Sequence, residues 1–401
     1  MILNFKSLHS TTYDVTLVGY GRYAGLHVGP KYAKPGYPWQ MAAAVDPVLT
    51  AAHFHSTVLG QRHPNLPLHA SFDEWYTRYF SQLTAAQRRR QVVEIALRPE
   101  RVYAEAMRYI EAGVKQLILP KPVVVDRTQL ERLTAAVAQH EVKAAVASQW
   151  HYSDIPTLLR REIIKLAGQP GADLTQLKLH KVEVEFSKEN GMAISTTPPL
   201  SEMPHVVQLL AAIGFIDLEQ HRPEVKGDDT RVDVIYRPPN IAEGIHLRSD
   251  LNWHPGQMVK ARYPIWDVQK RLLKVYLSDA PDEPALEVDF WIKFDRSGDV
   301  ALKPGKLTVL ERGQHGQANH VTCDVVDDQL LNMNRKIYAA FRQDFAQFQR
   351  DPDNLSLTRY GVVGRQLMTI ERAWRRIVES VESTFFNIGG AYTPMRKIGL
   401  G

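Results

Sequence analysis

The sequence predicts an α/β domain with a parallel sheet, followed by an α+β domain built on a large, mainly antiparallel open sheet. Three observations predict it. A β-branched apolar run near the start (Val15, Leu17, Val18) ends on two glycines, Gly19 and Gly21. Buried-type strands and helices then alternate up to about residue 150, the order that builds a parallel sheet covered by helices on both faces. Beyond that point, strands with period-two alternation follow one another through turn-rich pieces, as in a sheet with one wet face. Residues 1–150 and 151–401 are therefore the expected units, with the last helices able to pack back on the first.

Residues 1–12 read as an extension ahead of the first strand. In Gly19-Tyr-Gly21-Arg-Tyr-Ala24-Gly25, the first glycine permits a tight turn and the second lets backbone approach a ligand. Ala24 and Gly25 stand where a helix would first press on the strand. Trp39–Val45 is the second strand. It ends in Asp46-Pro47, which also reads as the start of a helix. Phe72–Tyr76 and Gln82–Arg90 are short helical pieces, and Gln91–Leu97 is a buried-type strand. After Arg98-Pro99-Glu100 a helix runs to Ala112, with Gly113 as its C-cap. Val114–Leu119 is the next strand, closed by Pro120-Lys121-Pro122. A helix over Asp126–Gln139 leads into the strand Lys143–Ser148. The second half begins with a helix at Ile155–Leu166. Its strands are Val182–Phe186, Val232–Tyr236, Gly244–Arg248, Met258–Tyr263, Leu273–Leu277, Leu286–Phe294 and Lys306–Leu310. One helix, His205–Ile213, interrupts them, and two more, Asp328–Arg350 and Gly364–Ser383, close the chain.

Composition narrows the function. The 401 residues are 44% hydrophobic and 23% charged, with a formal net charge of +5, as in an ordinary soluble globular protein. Basic and acidic residues are mixed, and Arg88-Arg89-Arg90 and Arg375-Arg376 read as solvated helix faces. No nucleic-acid or membrane partner is expected. The single cysteine, Cys323, permits no intrachain disulfide, which fits a reducing cytoplasm. The segment Met1–Lys6 lacks the apolar core of a signal peptide, and no apolar run approaches ~18 residues. A cytoplasmic protein is expected. His53, His55, His63 and His69 lack the helical i,i+4 spacing or cysteine partner of a metal site, and His315, His320 and Cys323 do no better, so no metal is expected. Trp253, Trp266 and Trp291 read as core residues.

A strand, a glycine turn and a helix, with Asp46 after the next strand, are the parts of a dinucleotide site. In such sites an acid roughly 20 residues past the glycines binds the adenosine ribose. The absence of an arginine beside Asp46 to meet a 2′-phosphate favours NAD over NADP. Three further segments complete a resemblance to the Gfo/Idh/MocA oxidoreductases, the glucose–fructose oxidoreductase and inositol dehydrogenase type. Val92–Pro99 is similar to that family's fourth strand and following proline. Lys121-Pro122 matches the end of its Glu-Lys-Pro motif. His205 matches the histidine of its Asp-x-Gly-x-His segment. The resemblance covers residues 13–215 in order and extends more loosely beyond.

The resemblance implies that Gly19, Tyr20, Gly21, Arg22, Tyr23, Ala24, Asp46, Pro99, Lys121 and Pro122 bind NAD or NADP. It implies that Lys121 holds the substrate oxygen and that His205 exchanges its proton while hydride moves, roles for which an ammonium and an imidazole are chemically suited. The chain departs from the family at Pro120, where the motif has Glu, and at Ser201 and Met203, where it has Asp and Gly. Ser201 is a candidate substrate contact, as are Trp150, His151 and Tyr152, which follow a strand's carboxyl end, where open α/β sheets bind ligands. Packing is the other reading of those three. The leading expectation is an oxidoreductase acting on a hydroxyl or carbonyl of a small polar molecule, a sugar or cyclitol derivative. An imine or enone reductase and a non-catalytic NAD(P)-binding relative remain alternatives. The face of the open sheet needs covering, and in the family subunits pack there, so a homodimer or homotetramer is expected.

Overall fold

The computed structural model describes residues 12–21, 24, 28–32, 38–167, 173–188, 197–251, 269–278, 280–289, 305–312, 318–325 and 329–387. In the first half β1 (Tyr13–Val18), β2 (Trp39–Val45), β3 (Leu68–His69), β4 (Gln91–Ile95), β5 (Gln116–Leu119) and β6 (Lys143–Val146) form one parallel sheet in the order β3-β2-β1-β4-β5-β6. This is the Rossmann order, and it reverses direction between β1 and β4. Its central strands are buried along their whole length, which is why they read as unbroken apolar runs. The helices around it are α1 (Gly29–Tyr32), α2 (Ala51–His55), α3 (Val58–Arg62), α4 (Phe72–Arg78), α5 (Ala85–Arg90), α6 (Pro99–Glu111) and α7 (Arg127–Gln139). Local chemistry sets their starts. Ser71 and Asp126 cap α4 and α7 through side-chain oxygens, Thr84 and Gln87 form a capping box on α5, and Pro99 opens α6.

The second half continues with α8 (Gln149–Tyr152), α9 (Ile155–Leu166), α10 (Pro198–Ser201), α11 (Met203–Ile213), α12 (Gln329–Ala340), α13 (Phe345–Arg350) and α14 (Leu357–Asn387). Its strands are β7 (Leu179–Lys188), β8 (Glu224–Gly227), β9 (Arg231–Tyr236), β10 (Ile241–Asp250), β11 (Gln269–Leu277), β12 (Leu286–Asp289), β13 (Gly305–Arg312) and β14 (Ala318–Val325). They pair in the order β14-β13-β12-β11-β7-β10-β9-β8. Every pairing is antiparallel except β7 with β10. The inner face (Val182, Val184, Phe186, Val232, Val234, Leu273, Val275) is buried, and α11 lies against β7 and β10. The outer face carries cross-strand ion pairs, Arg248 with Asp233 at 2.7 Å and Lys274 with Glu287 at 3.0 Å.

Several elements differ from the sequence-based expectation. Of the helix expected at the glycine turn, the described residues include Ala24, Val28 and the four-residue α1. Asp46-Pro47 does not start a helix: Asp46 accepts from Val48 N at 2.8 Å in a turn, and α2 begins later with Thr50 as its cap. The helix expected over Asp328–Arg350 is two, because the Asp344 side chain caps a new start by accepting from Gln347 N at 2.8 Å. The strand expected at Met258–Tyr263 lies outside the described residues, as do Trp253, Trp266, Trp291 and the end of Leu286–Phe294. No helix among the described residues is long and apolar enough to cross a membrane.

The C-terminal helices close the first sheet. Val146 N donates to Leu355 O at 2.9 Å, and Ala145 bridges Ser356. Tyr338 of α12 packs on Trp39 at 4.9 Å and on Tyr13 at 5.4 Å between ring centroids. Beneath them lies a buried polar network. Lys31 Nζ donates to Glu94 Oε1 at 2.7 Å and to Asn334 Oδ1 at 3.2 Å, and the Tyr32 hydroxyl donates to Glu94. Burial and the Glu94 charge hold the Tyr32 and Tyr338 phenols well above their ordinary range, so both stay protonated as donors.

Candidate active site

The carboxyl edge of the parallel sheet collects the turns after β1, β2, β4, β5 and β6, and the site is built there. Gly19 has φ +84°, and a Cβ at that position would lie 2.6 Å from Leu97 Cδ2 and 2.9 Å from Ala96 O, so only glycine fits. Its N–H donates to Val45 O at 2.8 Å, which ties the turn to β2. The next amide, Tyr20 N, donates to Asp46 Oδ2 at 2.6 Å. Asp46 is thus nearly buried, with one oxygen on the glycine turn and the other on its own. The buried Tyr20 ring lies edge-on to Phe54 at 5.5 Å, with its hydroxyl 2.9 Å from Thr57 Oγ1. Gly21 is exposed, and a Cβ there would meet nothing within 4 Å. Ala24 is buried against the strand. Arg22 and Tyr23 lie outside the described residues. Pro99 is buried in the first turn of α6.

Lys121 and His205, 84 residues apart in sequence, are in direct contact through Nζ and Nε2. Lys121 stands between Pro120 and the buried Pro122, just past β5, and the Lys121–Pro122 peptide is cis. His205 is the third residue of α11, and its N–H donates to Glu202 O at 2.9 Å. Only 8% of its surface is exposed. An ammonium has donors only, so in this contact the imidazole Nε2 accepts and carries no proton. A cation and a neutral imidazole side by side can grip one oxygen and exchange its proton.

Three residues that sequence reasoning did not assign to the site, Phe186, Arg271 and Glu202, surround His205. The Phe186 ring lies 6.3 Å from the His205 ring and 5.4 Å from that of Trp150. The Arg271 guanidinium of β11 lies over both aromatics, at 5.1 Å from Phe186 and 5.7 Å from Trp150. Arg271 is 3% exposed and pairs with Glu202, itself 4% exposed, at 3.6 Å. Burial pushes its pKa down and Glu202 pushes it back up. A signal for Arg271 was available: it falls in phase with the inward-facing Leu273 and Val275. Glu202 is one residue past Ser201, which is half-buried at the end of α10.

His151 and Tyr152 turn towards the C-terminal segment. The buried Tyr152 hydroxyl donates to Asn354 Oδ1 at 3.2 Å and accepts from Leu355 N at 3.1 Å, which spends it on fold closure. Burial, with the Arg359 and Lys336 charges adding, lowers the His151 pKa to about 4 against hydrogen bonding to Pro352. Unfolded, the same ring titrates near ~6.5. Between these values the unfolded chain binds the extra proton, so the neutral ring's contribution is complete above about pH 6.5 and is lost as pH falls towards 4. In urea unfolding at pH 7 and pH 4.5, His151→Phe is expected to lose about 2 kcal/mol less than wild type over the interval. Equal losses would refute the assignment. Among the described residues no three His, Cys, Asp or Glu side chains gather closely enough to hold a metal.

No protein-family model matches the chain, and no curated protein does. Solved structures do. A 3-ketoreductase from Actinomadura kijaniata, in complex with TDP-benzene and NADP, aligns over 92% of this chain and 98% of its own, at 12% identity and a TM-score of 0.61. An oxidoreductase from Agrobacterium radiobacter, in complex with NAD+, L-tartaric acid and magnesium, aligns over 91% and 97%, at 9% identity and a TM-score of 0.57. The UDP-N-acetylglucosamine 3-dehydrogenase of Acidithiobacillus ferrooxidans aligns over 92% and 98%, at 15% identity and a TM-score of 0.55. With these proteins the chain shares its fold, a six-stranded parallel sheet of Rossmann order followed by a mixed, mostly antiparallel sheet.

Proposed function

We propose that the protein is an NAD(P)-dependent oxidoreductase that moves hydride between the nicotinamide and a hydroxyl or carbonyl carbon of a polar substrate, a sugar or cyclitol derivative. The observation that carries this reading is the Lys121–His205 contact at the carboxyl edge of the parallel sheet, two strands from the Gly19 turn. The residues of that turn fit a dinucleotide. Gly19 admits no side chain, Gly21 leaves open the space a side chain would fill, and Asp46 keeps lone pairs for ribose hydroxyls beyond its two amide bonds. A carboxylate there repels a 2′-phosphate, which favours NAD over NADP. Two of the similar structures carry NADP or NAD+, and a third is a nucleotide-sugar dehydrogenase, which supports both halves of the reading.

With the pyrophosphate of a dinucleotide at this turn, its nicotinamide would supply or accept the hydride. The chain's own residues handle the oxygen and its proton. A substrate hydroxyl inserted between Lys121 and His205 accepts from the ammonium and donates to Nε2. As the carbon is oxidised, His205 takes the proton and Lys121 holds the developing negative charge. In reduction His205 returns the proton. Calorimetry with NAD+, NADH, NADP+ and NADPH tests the reading: dissociation constants of roughly 1 μM–1 mM are expected, tighter for NAD(H). Gly19→Val should weaken binding at least about tenfold, because its side chain must enter the Leu97 position at an unfavourable φ. Failure of all four to bind would overturn the proposal.

A further inference from the structure

We propose that the buried Glu202–Arg271 pair positions His205 and sets how readily its imidazole takes a proton. The inference rests on the reading of His205 as the proton carrier. Two connections run from the pair to that residue. Glu202 leads α11, and its carbonyl accepts from His205 N at 2.9 Å and from Val206 N at 3.3 Å. Its carboxylate is held by Arg271 at 3.6 Å, so the start of the helix is tethered to β11. The second connection is a stack: Arg271 lies on Phe186, and Phe186 faces the His205 ring. Nε and Nη1 of Arg271 have no hydrogen-bond partner among the described residues. Its charge is therefore incompletely screened, in surroundings where charges act over longer range than in water.

The two members of the pair act on the imidazole with opposite sign. The guanidinium opposes protonation of His205, and the carboxylate favours it. The other described charged groups on the elements packed against α11 face elsewhere. Those of β7 up to Glu185 and of β10 stand on the outer face of the sheet, Arg160, Arg161 and Lys165 of α9 are exposed, Glu162 pairs with Arg161 at 3.2 Å, and Glu371 of α14 bonds Thr197 and Arg375. His151 of α8 faces Arg359 and Pro352. Lys121 touches Nε2 directly and acts in the same direction as Arg271.

The test is an NMR titration of the full chain with isotope-labelled histidine, the His205 signal being identified by its loss in His205→Asn. It is run in wild type and in a Lys121→Met background, where the competing ammonium is gone. Glu202→Gln should lower the titration midpoint of His205 by about one pH unit. Adding Arg271→Met to Glu202→Gln should raise it again by a similar amount. The double variant also removes both buried charges at once, which folded proteins tolerate better than one alone. A packing role would leave the midpoint still or displace it further in the double variant, and either result overturns the inference. Because no turnover is read, this outcome is separate from that of the cofactor titrations. Loss of NAD(P) binding would sink the oxidoreductase reading with the coupling intact, and an unmoved midpoint would do the reverse.

Discussion

Lys121→Met is expected to lower turnover by about 10³-fold while leaving NAD(H) affinity within about threefold of wild type. The estimate joins two contributions. Loss of a positioned donor to a developing oxyanion costs about 10²–10³. Loss of the partner that orients an acid–base group adds to it, since the Lys121 ammonium meets His205 Nε2 directly. Arginine should not rescue the variant. Its planar fork is larger than an ammonium and cannot occupy the same space between Pro120, Pro122 and the imidazole. Steady-state kinetics on the hydroxyl or keto substrate returned by a screen of polyols and keto-sugars, with cofactor absorbance as readout, checks the first half; calorimetry checks the second. Turnover within tenfold of wild type would remove Lys121 from the chemistry.

Lys31→Met should cost about 3–5 kcal/mol of stability, the usual penalty when one partner of a buried ion pair is removed. Glu94 is 3% exposed and would be left with the Tyr32 hydroxyl as its donor within the network. Asn334 of α12 would lose the ammonium that it accepts from, so the effect should reach the contact between the halves of the chain. Replacing both charges, Lys31→Met with Glu94→Leu, should recover most of the loss, because the desolvation of two ions is then no longer required. Urea unfolding of the two variants decides the matter. A single-variant cost under about 1 kcal/mol would mean that Glu94 relaxes to water or takes up a proton.

The parallel half could be read from sequence because burial on both faces leaves a simple trace: short apolar runs, most of them closed within a few residues by glycine or proline. The same logic hid its exceptions. Gln91 and Glu94 lie inside one of those runs, and a charged residue in a strand buried on both faces signals that a partner must come from elsewhere. Nothing local says that the partner is Lys31. In the second half, β8 escaped notice because Glu224–Gly227 is an edge strand with no buried residue, so it carries no apolar alternation. β3, two residues long, is too short to show a period. At the site, Lys121 and His205 were singled out by resemblance, and the fold brings them into contact. Glu202 and Arg271 were passed over because a charged residue reads as surface until the aromatic floor above it is known. Tyr152 and His151 occupy the end of a parallel strand, yet their partners lie some two hundred residues later, a separation that no window of local sequence spans.

The closing of the parallel sheet by α12 and the segment before α14 bears on the order of folding. Tyr13 and Trp39, among the first residues of the sheet, complete their packing against the C-terminal aromatics Tyr338 and Phe341. The edge strand β6 finds its backbone partner at Leu355–Ser356. During synthesis at ~5–20 residues per second, the first six strands therefore wait for roughly two hundred further residues before their apolar flank is covered. Contacts of such long sequence separation slow folding, since the loop entropy is lost before the contact forms. A nascent chain halted near residue 300 would hold the glycine turn and Lys121 but carry an open aromatic face, the state in which this protein is most exposed to aggregation and to chaperone capture.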